Sequence, residues 1–161
     1  MWWEEEVQKW YLLQEIGDMK GGYWEIFLYT SPDIIKWTPE RGGKPFIELQ
    51  RSENSMYGGP SFETVDGQVV SKNETGFYNL YYHAGSAGNL PTDIYHASSK
   101  DLLTSEWTME NNGEPILTHT GDSIKFDYDQ VADPSRIDDM MYYDGDNNVN
   151  ATCAIGTSRK P

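Results

Sequence analysis

The chain has 161 residues, 12 Lys and Arg against 26 Asp and Glu, and a net charge of −14. So acidic a chain repels phosphate backbones and its basic residues are scattered, which argues against nucleic acid as a partner and favours a neutral or cationic ligand. Cys153 is the only cysteine, so an internal disulfide and a zinc cluster are both ruled out. No run of about 18 apolar residues occurs, so no membrane partner is expected. Met1-Trp2-Trp3-Glu4-Glu5-Glu6 lacks the basic and apolar regions of a signal peptide, and the compartment stays open.

Six Trp, eleven Tyr, five Phe and 15 Gly, with many short β-prone runs and no sustained helical period, predict an all-β fold. In chain order, the first elements are an aromatic-rich strand at Trp10-Tyr11-Leu12-Leu13 and a strand at Ile26-Phe27-Leu28-Tyr29-Thr30. An Asp turn at Ser31-Pro32-Asp33, a Trp-bearing strand at Trp37-Thr38 and a Gly-x-Pro exit at Gly43-Lys44-Pro45 follow. The same order returns at Tyr78-Asn79-Leu80-Tyr81-Tyr82, Ile94-Tyr95-His96-Ala97-Ser98, Asp101, Trp107-Thr108 and Gly113-Glu114-Pro115. Trp37 and Trp107 stand about 70 residues apart, as do Pro45 and Pro115. A third copy starts at Met141-Tyr142-Tyr143-Asp144-Gly145 and runs to Thr157-Ser158-Arg159. Matching Tyr11 with Tyr142 places Trp2 against Asp133. An inserted segment from Val65 to Gly76 lengthens the second unit, and its Asp66-Gly67 predicts a hairpin turn.

Such a repeat of four short strands is a propeller blade, with units at about 1–50, 51–120 and 121–161. Asp33 and Asp101 are placed to accept backbone N–H groups two residues on, and Trp37 and Trp107 to pack between neighbouring sheets. A β-sandwich would not require matched order in successive units. Trp-Asp repeats at a period of about 40–45 are absent. The sialidase Asp-box needs a glycine where Ile35 stands.

Tyr29-Thr30-Ser31-Pro32-Asp33-Ile34-Ile35-Lys36-Trp37, the strand Ala132-Asp133-Pro134-Ser135 and the following Tyr142-Tyr143-Asp144-Gly145 resemble the five-bladed propeller glycosidases. The group is that of arabinanase, levansucrase and invertase, and the glycoside hydrolase family 43-like branch is the one most similar. The resemblance implies a partial five-bladed propeller of about two and a half to three blades, since five blades need roughly 250–300 residues at this spacing. Missing blades or a second chain would complete the ring.

The resemblance also implies a carbohydrate substrate, cleaved at its glycosidic bonds by axial carboxylates. Asp133 falls on the innermost strand, where family members carry a general base or a carboxylate that orients the others. Asp127, Tyr128 and Asp129 flank that motif and are candidates for the funnel rim, and His83 is a candidate ligand contact. Tyr57, Tyr128 and Trp3 could stack on sugar rings. Gly59 stands in the second unit where Asp133 stands in the third, so one carboxylate is missing there, and Glu63 is a poor substitute. The three histidines make no metal motif. No cofactor is expected. A central calcium is compatible with such a fold, and the sequence assigns it no ligands. Two other readings stand beside the glycosidase: a non-catalytic glycan-binding or structural module, and an inactive fragment.

Overall fold

A computed structural model describes residues 1–17, 24–46, 55–65, 68–69, 72, 76–86, 91–104 and 106–159. Among them the regular structure is β, apart from two single turns of 3₁₀ helix at Arg41–Gly43 and Asn111–Gly113. No helix of the described residues is long and apolar enough to cross a membrane.

The first antiparallel group is β1 (Trp2–Glu4), β2 (Lys9–Gly17), β3 (Trp24–Ser31) and β4 (Thr38–Pro39). The second is β5 (Ser55–Phe62), β8 (Tyr78–Ser86), β9 (Thr92–Ser99) and β10 (Thr108–Met109). The third is β11 (Gln130–Ile137), β12 (Met140–Asn147) and β13 (Thr152–Arg159). Each group opens with its innermost strand, as a propeller blade does. Among the described residues, the parallel pair Trp24 with Met56 joins the first group to the second, and Thr92 with Gln130 joins the second to the third. The insertion folds back as β6 (Thr64–Val65) and β7 (Gln68–Val69), paired Val65 to Gln68. That spacing suits the predicted two-residue turn, although Asp66 and Gly67 lie outside the described residues, as does Val70. Thr64 also pairs with Ile137, so the hairpin leans on the third group.

Short polar side chains build the corners. Asp33 Oδ1 accepts the N–H groups of Ile35 and Lys36, both at 2.9 Å, and these bonds hold the carboxyl below its usual range. Asp101 Oδ1 accepts Leu103 N–H at 2.9 Å in the second blade. Thr30 donates to Glu40 and Ser98 donates to Glu110 at matching places. At the exits, Arg41 Nη1 donates to the carbonyls of Pro45 and Phe46. Asn111 Nδ2 does the same for Glu114 and Pro115. Two different side chains thus close one loop geometry.

The matched hydroxyls fix the register between blades. Thr30 lies opposite Tyr11, and Ser98 lies opposite Asn79, so Tyr11 corresponds to Asn79. Leu13, rather than Tyr11, corresponds to Tyr81 and Tyr142. Trp2, which pairs with Tyr11, therefore lies past the position of Asp133 and does not match it. The aromatics divide as well. Trp107 is buried edge-on against Phe46, ring centroids 5.1 Å apart, within a core of Tyr11, Leu28, Phe62, Leu80 and Tyr82. Trp37 stays half-exposed and donates Nε1–H to Ile34 O, so only Trp107 fills the expected packing role.

Candidate functional site

The innermost strands β5 and β11 break register at the same point, between Gly58 and Ser61 and between Ala132 and Ser135. Each break is a β-bulge closed by a proline, which has no N–H to give to a ladder. Its first residue is left-handed in both blades: Gly59 at φ 54° and Asp133 at φ 46°. Glycine takes that conformation freely, whereas aspartate pays strain for it. Strain of this kind is commonest where a side chain has a task. The two bulges touch, because Ser61 Oγ donates to Pro134 O.

The second strand of each preceding blade holds the bulge that follows. Glu15 on β2 accepts Gly59 N–H at 2.6 Å through Oε2. His83 on β8 accepts Asp133 N–H at 3.1 Å through Nδ1. That bond leaves the ring proton of neutral His83 on Nε2. The imidazole is buried, which pushes its pKa below the usual value even though the carboxylates of Asp133 and Glu15 pull the other way. Asp133 keeps an exposed carboxylate, 3.6 Å from His83 Nδ1. Gly58 makes the meeting possible, since a Cβ there would run into the Glu15 carboxylate and His83 Nε2. A Cβ on Gly59 would likewise meet Asp133 and His83 Nδ1.

Glu15, His83 and Asp133 thus bring one ligand-type atom each within 4.8 Å of the others. That is within reach of one cation, but Glu15 Oε2 and His83 Nδ1 already accept backbone N–H groups. The cluster is therefore first a brace for the two bulges.

The other sequence candidates lie apart from it. Asp127 is buried, and Tyr143 Oη–H donates to its Oδ2 at 3.4 Å. Burial and that carboxylate together raise the pKa of Tyr143. Asp129 Oδ2 accepts Asn148 N–H at 2.7 Å. Tyr128 and Asp129 line a shallow pocket of about 250 Å³ with Pro91, Gly121 and His119, whose Nδ1 lies 2.8 Å from Asp93. His96 stacks on Tyr81 and lies 3.0 Å from Asn79 Oδ1, a packed strand histidine. Glu63 accepts Asn79 Nδ2–H at 3.1 Å. Exposed Trp3 donates to Glu5 at 2.6 Å. The Tyr57 side chain lies outside the described residues. Of the predicted set, the fold brings Asp133 and His83 together and adds Glu15 and Gly58. Sequence reasoning missed these two, although Glu15 and His83 each stand five residues past the aromatic that opens the matching strand.

No model of a protein family matches the sequence, and no curated protein matches it. Solved structures do. A GH130-family structure, from work on mannoside phosphorylases and on hydrolases that target β-1,2 mannosidic linkages in Candida mannan, superposes at TM-score 0.66 with 16% identity. The match covers 95% of this chain and 44% of that one. The fold is that of the propeller glycoside hydrolases. A glycosyl hydrolase from Bacteroides ovatus gives 0.64 at 16% identity, over 96% of this chain and 44% of its own. A thermostable family-43 glycoside hydrolase gives 0.59 at 16% identity, over 92% and 54%. The chain spans about half the length, or less, of these propeller hydrolases, and at such identities the likeness is one of fold.

Proposed function

We propose that this chain supplies part of a glycoside hydrolase that cleaves poly- or oligosaccharide bonds, with Asp133 as an axial carboxylate of the reaction. The observation that carries the reading is the Asp133 bulge: a strained aspartate on an innermost strand, its carboxylate exposed while its backbone is pinned by buried His83. A fixed backbone under a free carboxylate suits a group that must meet a sugar or its attacking water in one geometry. His83 acts as a positioning residue, because its acceptor nitrogen is spent on the Asp133 N–H.

Glycoside cleavage needs a second carboxylate, at about 5–5.5 Å for retention or about 6.5–9.5 Å for inversion. Glu15 is a poor candidate for that part. It lies within 4.8 Å and is committed to the Gly59 N–H. In this reading the proton donor stands elsewhere around the axis, and Glu15 and His83 hold the two bulges in step.

The test is Asp133→Asn in the polypeptide that its gene encodes, assayed for reducing sugar released from a polysaccharide panel. A loss of at least about 100-fold is expected, the usual effect of removing an acid–base group. Undiminished hydrolysis would remove Asp133 from the mechanism. Gly59 favours a second reading, a glycan-binding module, since the neighbouring bulge presents no carboxylate. That reading predicts saccharide binding without turnover in both proteins.

A further inference from the structure

Two of the three blades hand their second strand to the bulge of the next, and the third carries the same device with nothing on it. Glu15 lies opposite Ile26 and accepts Gly59 N–H, while His83 lies opposite Ile94 and accepts Asp133 N–H. The equivalent pair in the third blade is Asp144 opposite Ile155. Its carboxylate has no hydrogen-bond donor among the described residues. The apolar partner tells the same story: Ile26 is 3% and Ile94 0% exposed, whereas Ile155 is 74% exposed. Tyr81 is 7% exposed and its counterpart Tyr142 38%. Ile94 is covered by Val131, from the innermost strand of the following blade, together with Tyr143, Phe126 and the exit residue Leu117. The junction residue Thr92, fully buried and bonded through Oγ1 to Val131 O, corresponds to exposed Cys153.

We infer that the β12–β13 face is a docking surface for the innermost strand of a further blade, whose left-handed bulge donates its N–H to Asp144. The occupant belongs to polypeptide additional to these 161 residues. A second copy fits badly, since both of its own bulge N–H groups are already taken by Glu15 and His83. The matching propeller hydrolases, about twice as long, contain room for such a blade. The inference is independent of any catalytic role for Asp133.

Cys153 is a built-in reporter, being the only cysteine of the chain. Its modification by a maleimide under native conditions is to be timed in the 161-residue chain and in the polypeptide its gene encodes. The expected result is rapid labelling of the chain and labelling at least about 100-fold slower in the encoded polypeptide, by the logic of protection through burial. Asp144→Ala in the latter should return about a tenfold faster rate, and Asp144→Asn, which keeps an acceptor oxygen, should not. Should Asp144→Ala fail to fold, Ile155→Ala replaces it, with the same expected acceleration. Equal rates in the two proteins overturn the inference, and so does protection of the 161-residue chain that grows with its concentration, the mark of self-association.

Discussion

His83 shows how one buried side chain ties the acid response of the fold to its axis. Its pKa is lowered in the folded state by burial, so the unfolded chain binds the proton more readily. The stability it contributes is intact above the unfolded value of about 6.5 and is lost as pH falls through the lower folded value. Urea midpoints taken between pH 7 and pH 5 should therefore decline, and His83→Gln should flatten that decline. An unchanged slope in His83→Gln would assign the acid sensitivity to other groups. His83 was legible as a candidate because it ends an aromatic strand. Its role was not, since nothing in the sequence says that a backbone N–H fifty positions later would take its acceptor nitrogen.

The bulge is the element that makes one strand position chemical. Both bulges rest on a left-handed residue followed by proline, and at Gly59 the missing side chain is what lets Asp133 and His83 approach. Gly59→Ala should cost about 1–3 kcal/mol of stability, the range for a side chain forced into such a conformation, with the clash added. Equilibrium unfolding would check it, and a cost near zero would mean that the bulge relaxes. Much of this was readable in advance: the paired Gly59-Pro60-Ser61 and Asp133-Pro134-Ser135 runs, the Asp33 and Asp101 turns, and the twin exits. What escaped was the register of β1. Aromatic likeness drew Tyr11 toward Tyr142, while hydrogen bonding to Glu40 and Glu110 sets Thr30 against Ser98 and shifts the match by two residues. A period-two strand tolerates that error in pattern, because both positions face the same side.

At the scale of the whole molecule, one core runs through the first two blades and a smaller one joins the second to the third through Ile94, Val131 and Tyr143. Trp107 sits in the first, against Phe46 and Phe62. Trp107→Ala should lose about 3–5 kcal/mol, the usual cost of deleting a buried aromatic. Trp37→Ala, at a half-exposed site, should lose about 0.5 kcal/mol. Denaturant titrations of the two variants would separate them, and equal losses would contradict the asymmetry between the two repeats. Repeat order alone could not reveal that asymmetry, because both tryptophans occupy the same place in their units. Only the neighbour across the blade decides which one is covered.

The blades are laced internally along their strands, yet among the described residues the seams between them come down to isolated backbone pairs: Trp24 with Met56 between the first two, and Thr92 with Gln130 and Thr64 with Ile137 between the second and the third. Drawn out by its two ends, the chain would behave less like cloth than like a hinged chain: the seams would open under load while each blade survived as a link.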